Sequence, residues 1–294
     1  MPTLTLPSNE ALHKLHALVR LTRPGNVLMF FIGVGLGGVL VAGEAAFAGT
    51  NGVQLLLAAV SAAAMGAAAN ALNDVFDLDI DRINRPDRPL PSGTLPLAAG
   101  WSVWAVGSLL GIGLSVLLSP AHIAIATAAV ALSFLYDAWL KRVPLAGNVV
   151  VSAVIAVTLI VYGGWAVGDP FPAFIGAGFA FLTNLARELI KDIEDMAGDA
   201  EVQARTWPLV VGPQWAAWTA VAVLGLTVLL TPVPYLAFGY AELYLLLILP
   251  TSALLLRVAW LMLSTDPQAQ AGRASRLLKG TMLLGIAALA LGGA

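Results

Sequence analysis

Asp74, Asp77 and Asp81 stand at i, i+3 and i+7, and Asp192, Asp195 and Asp199 repeat that spacing 118 residues later. On a helix such positions share one face. Asn73, Asp77 and Asp81 (i, i+4, i+8) lie on nearly the same stripe. Carboxylates packed this closely repel one another unless a cation lies between them. Oxygen donors suit a hard divalent ion, and Mg²⁺ commonly takes one or two carboxylates together with substrate phosphates. Residues 73–93 hold five aspartates and three arginines, in a chain only 11% charged. Arginine binds phosphate oxygens in a two-pronged fork, and Arg85 and Arg88 each precede a proline that stiffens the loop. The segment Asp77-x-Asp79-x-Asp81 begins like a calcium-binding EF-hand. It departs at the sixth position, where Arg82 replaces glycine, and at the twelfth, where Arg88 replaces glutamate.

The elements that must carry these residues are membrane helices. The 294 residues are 59% hydrophobic and contain no cysteine, and the mean hydropathy is +0.86. Apolar runs cover 27–43, 53–69, 97–118, 121–135, 145–167, 171–185, 215–230, 243–256 and 277–294. Several reach the roughly 20 residues that cross a bilayer, and none alternates as a membrane strand would. The expectation is an all-α polytopic protein of about nine spans bundled around a central cavity, forming one domain over 1–294. Residues 11–21 read as a short amphipathic helix at the interface. No cleavable signal is expected.

All fifteen Lys and Arg residues fall on one side of a nine-span arrangement. That side is cytoplasmic by the positive-inside rule, which leaves the C-terminus outside. The two aspartate sets follow spans 2 and 6, and a shift of four spans returns to the same membrane face. Two parallel four-helix repeats are therefore expected, at about 24–140 and 145–262, with a last helix at about 277–294.

Acid stripes facing each other at the cytoplasmic mouth of an apolar bundle, beside basic side chains, suit a diphosphate with a long apolar tail. Mg²⁺ and cationic side chains would stabilise the departing pyrophosphate, and a dry cavity would protect the carbocation left behind.

"NDVFDLDIDRINRPDRP" (73–89) resembles the first aspartate signature of the UbiA-type intramembrane prenyltransferases, and "DIEDMAGD" (192–199) their second. The resemblance covers essentially the whole chain. Within that superfamily, "NRPDRPLPSG" and "RELIKDIEDMAGD…RTWP" are most similar to the branch that adds a second C20 chain to geranylgeranylglyceryl phosphate. "AEVQART" lacks a glycine common there, and "TWP" replaces a common "TLP". The resemblance implies Mg²⁺, as two ions bridging the diphosphate. Asn73, Asp77 and Asp81 would lie on one edge and Asp195 and Asp199 on the other, assisted by Asp74 and Asp192. It implies that Arg23 and either Lys141 or Arg142 grip the diphosphate. Arg85, Arg88 and Lys191 are further phosphate candidates, and Tyr136 offers a π face to the carbocation.

Other readings stay open here. The acceptor in place of the glycerol lipid is an aromatic quinone precursor or a chlorophyllide-like alcohol. Cation-coupled transport is the rival of another class, although it expects carboxylates at the bilayer midplane. Arg23, Lys141, Arg142 and the loop arginines also read as topology and lipid anchors, and Tyr136 as an interfacial aromatic. His13, His16 and His122 receive no role. The glycine-rich run 33–38 reads as a helix-packing surface. The expected partners are a polyprenyl diphosphate, the acceptor and the bilayer, with no nucleic acid and no obligate protein partner.

Overall fold

In the computed structural model, which describes residues 9–201 and 204–293, helix predominates and no strand occurs among the described residues. Nine helices among them are long and apolar enough to cross a membrane. They are span 1 (Pro24–Phe47), span 2 (Gly49–Phe76), span 3 (Leu97–Ser115), span 4 (Pro120–Ala138), span 5 (Ala146–Val167), span 6 (Ala173–Glu201), span 7 (Pro213–Phe238), span 8 (Glu242–Met262) and span 9 (Pro267–Gly292). The apolar surface is turned outward: Leu109, Leu229 and Leu246 are all strongly exposed, while alanine is the commonest residue of the buried apolar core. Hydrocarbon supplies no hydrophobic drive between helices, so small residues that allow close approach hold them together. The glycine run does this. A Cβ on Gly37 would sit 2.0 Å from the Ile160 carbonyl oxygen, and one on Gly163 would sit 2.1 Å from that of Val34. Spans 1 and 5 thus touch backbone to backbone, beside a π-helical turn at Val157–Val161.

Before span 1, the helix Asn9–Thr22 buries Ala17 and Leu21 and leaves Leu12, Leu15 and Val19 exposed. Those two stripes on opposite faces are what an interfacial helix needs. Buried His122 bonds Ser119 (2.7 Å) and the Tyr162 carbonyl (3.1 Å) at the start of span 4, a packing role.

Three elements differ from the sequence reading. Span 6 runs on as helix from its apolar part to Glu201, carrying Asp192, Asp195 and Asp199. Span 9 begins at Pro267, ten residues before its apolar run, because "PQAQAGRASR" is polar but helix-forming. The first aspartate set is not on one continuous helix: span 2 ends at Phe76, and Asp77 joins it to a separate helix, Leu78–Asn84.

Candidate active site

The helix Leu78–Asn84 and the end of span 6 face one another. Asn84 Nδ2 donates to the Asp195 carbonyl (3.2 Å). Gly198 permits the approach, since a Cβ there would lie 2.5 Å from Asn84 Nδ2. Between them lies a polar cavity of about 140 Å³. It is walled by Asn73, Asp77 and Asp81 on one side and by Asp192, Asp195 and Asp199 on the other. Arg88, Tyr136, Lys141, Arg142 and Lys191 complete it.

Most of the carboxylates are held by cations or amides. Lys141 pairs with Asp77, Arg88 reaches Asp81 (2.5 Å) and Asp74 (3.3 Å), and Asn148 Nδ2 donates to Asp192 (2.9 Å). Burial pushes the Asp81 carboxyl above the usual aspartate range, against the opposing pull of Arg88. Burial alone would weaken the Arg88 guanidinium's hold on its proton, but Asp74 and Asp81 outweigh it and the group is raised. Lys141 Nζ also lies 5.7 Å from the Phe76 ring centroid.

Two expected site residues are placed differently. Asp74 is buried beneath Arg23 and Arg88, away from the polar cavity, so its charge is spent on holding those arginines. Arg85 spans to Glu194 (3.0 Å) and Asp195 (3.3 Å) and ties the two arms together. Lys141 and Arg142 both line the cavity, and Lys141 is the one bonded to Asp77. Tyr136 and Lys191 border the polar cavity and also a second, larger one of about 210 Å³.

That second cavity carries Arg23 and Asn73 at its polar end and Phe30, Met65 and Val154 deeper in. A third, almost wholly apolar, continues from it and shares Met29, Ile155, Leu159 and Met282 in its wall. The bundle therefore offers a graded path from charge to hydrocarbon.

No three His, Cys, Asp or Glu side chains among the described residues form a ready-made metal site. The donor set nevertheless fits Mg²⁺. It is all oxygen, it faces inward from two elements, and Asp195 Oδ1 is buried without a hydrogen bond, with the Arg85 guanidinium 3.3 Å away. A buried carboxylate oxygen left in that state is suited to a cation.

Sequence reasoning missed several supports. Buried Asp137 accepts from Asn73 Nδ2 (3.0 Å) and lies 3.8 Å from Lys141; its signal was the i, i+4 pair with Lys141. Asn84 and Glu194 sit inside the two motifs and were overlooked for lack of charge or of repeat spacing. Asn148 had no local signal, because only the fold brings it to Asp192.

A sequence model described as the UbiA prenyltransferase family matches residues 28–286. The digeranylgeranylglyceryl phosphate synthase of Methanopyrus kandleri is 38% identical over 277 residues, covering 93% of this chain and 98% of that one. Its namesake from Thermococcus kodakarensis is 36% identical, covering 92% and 96%. A solved structure concerned with digeranylgeranylglyceryl phosphate synthase in membranes is 28% identical, covers 95% of this chain and 98% of that one, and has a TM-score of 0.74. A UbiA homologue from Archaeoglobus fulgidus, bound to DMAPP and Mg²⁺, shares the fold with a TM-score of 0.65 at 18% identity.

Proposed function

Because the chain belongs to the UbiA prenyltransferase family, we propose that it transfers a geranylgeranyl group from its diphosphate to the free hydroxyl of geranylgeranylglyceryl phosphate. The observation that carries this is the join at Asn73, Tyr136 and Lys191 between the polar cavity and the second one, which leads on to the apolar third, where an ionising diphosphate meets its tail. The named relatives support the glycerol acceptor.

Asn73, Asp77 and Asp81 would hold one Mg²⁺ and Asp192, Asp195 and Asp199 a second. When bound, Mg²⁺ supplies charge neutralisation to the diphosphate oxygens. The protein does the rest. Lys141, Arg142, Arg88 and Lys191 line the diphosphate's place and stabilise the negative charge that builds as the C1–O bond breaks. Arg23 lies on the neighbouring wall and Arg85 keeps the two arms in register. Tyr136 stands at the junction, where its π face stabilises the allylic cation. Apolar walls exclude water, so the cation survives until the glycerol oxygen forms the new C–O bond and its proton is released. An allylic cation is electrophilic enough to take even a weakly nucleophilic alcohol.

The multi-pass chain sits with its N-terminus and aspartate arms cytoplasmic and its C-terminus outside, by the one-sided distribution of lysine and arginine. The test is a mass-spectrometric product assay on purified protein with Mg²⁺, geranylgeranyl diphosphate and geranylgeranylglyceryl phosphate. A doubly prenylated glycerol phosphate is expected, absent with Asp77→Ala. Wild-type protein that makes none would refute the proposal.

A further inference from the structure

Resting on the glycerol-phosphate reading above, we propose that Lys279, Arg187 and Asn26 form a separate anion subsite that receives the acceptor's phosphate. The diphosphate site uses cations at the cytoplasmic mouth, but the second cavity contains others that those steps leave idle.

Four cations line that cavity (Arg23, Arg187, Lys191 and Lys279) against two carboxylates, Asp137 and Glu188. Arg23 is engaged by Asp74 and Arg187 touches Glu188 (2.8 Å). Lys279 has no ion pair among the described residues. Its Nζ donates to Asn26 Oδ1 (2.9 Å), and Arg187 and Arg23 line the same cavity. Asn26 is itself fixed: its Nδ2 donates to Asn70 Oδ1 (3.2 Å), and Asn70 Nδ2 donates to the Thr22 carbonyl (2.9 Å). A lysine held in place within a membrane helix, beside like charges and without a counter-ion, is costly unless an anion completes it.

The position suits an acceptor headgroup. Arg187 lies eight residues before Asp195 on span 6, about 12 Å deeper at 1.5 Å per residue, so the phosphate and the diphosphate occupy different levels. Met282 follows Lys279 by three residues on span 9 and lines both the second and the apolar third cavity. A lipid phosphate on Lys279 thus has a mostly apolar channel beside it for its own chain, leaving the junction at Tyr136 to the donor.

The experiment measures binding without turnover, to protein in nanodiscs lacking donor. Geranylgeranylglyceryl phosphate is compared with geranylgeranylglycerol, which lacks the phosphate. Wild type is expected to prefer the phosphorylated lipid by roughly 10-fold or more, as a charge-assisted contact would give. Lys279→Met is expected to remove most of that preference and Lys279→Arg to keep it, with donor affinity in Mg²⁺ unchanged in both. No preference in wild type, or one that survives Lys279→Met, would overturn the subsite. Donor affinity falling together with acceptor affinity would also overturn it, by assigning these cations to the diphosphate. Absence of doubly prenylated glycerol phosphate in the wild-type product assay would count against the acceptor reading instead, so the two failures are distinct.

Discussion

Gly198→Ala tests whether the two aspartate arms must dock as closely as they do. The new methyl carbon would lie 2.5 Å from Asn84 Nδ2 and 2.9 Å from Asn84 Cγ, whereas ordinary contact needs about 3.5–4 Å. Relief requires a shift of about 1 Å, either of the Asn84 side chain, which loses its bond to the Asp195 carbonyl, or of the whole helix that carries Asp81. A misplacement of about 1 Å in reacting groups costs on the order of 100-fold in rate. Asn84→Ala alone removes the hydrogen bond and leaves the backbone approach intact, a loss of about 1 kcal/mol, or roughly 5-fold. In the double variant the clash is gone, so kcat/KM should return to the level of Asn84→Ala. The assay is prenyl transfer at saturating Mg²⁺ with thermal unfolding as a control for folding. Full activity in Gly198→Ala, or no rescue in the double variant, would refute the docking account.

Chelation of divalent metal should abolish turnover and Mg²⁺ should restore it, with Asp77→Ala and Asp195→Ala unrescued at any Mg²⁺ concentration. Because burial raises the Asp81 carboxyl above the usual range, protons compete for it earlier than for a free aspartate. The Mg²⁺ concentration for half-maximal activity should therefore rise as pH falls from about 7 to about 5; an unchanged midpoint would contradict a charged Asp81 in the metal site. Tyr136→Phe should keep the rate within a few-fold, whereas Tyr136→Leu should lose up to roughly 30-fold in kcat, the worth of a desolvated cation–π contact of about 2 kcal/mol; product formation at saturating substrate checks this. Gly37→Ala should destabilise the bundle by about 1–3 kcal/mol, seen as a lowered unfolding temperature in nanodiscs, because its methyl would meet backbone at Ile160 rather than a yielding side chain.

How far the sequence could be read depends on what each signal reports. Hydropathy reports residues that face lipid or core, so it located nine spans but stopped short on spans 6 and 9. Their polar ends are helices standing beyond the apolar layer. Charge spacing reports which side chains share a face, and it picked out Asp77, Asp81, Asp195 and Asp199, which the fold brings around one cavity. It placed Asp74 among the metal ligands, because the spacing i, i+3, i+7 assumes an unbroken helix. The chain turns at Asp77 and Asp74 is left under Arg23 and Arg88. Partners brought together only by tertiary structure had no such signal. Asn148 is 44 residues from Asp192, and Lys279 is 253 from Asn26.

The most direct measurement is a competition. Purified protein receives Mg²⁺ and geranylgeranyl diphosphate with geranylgeranylglyceryl phosphate, 4-hydroxybenzoate, homogentisate and dihydroxynaphthoate together, and products are identified by mass. Prenyl transfer to the glycerol phosphate in clear excess over every aromatic acceptor, lost in Asp77→Ala, is the expected result. An aromatic product in excess would contradict the assigned acceptor, and no prenylated product at all would contradict the transfer chemistry itself.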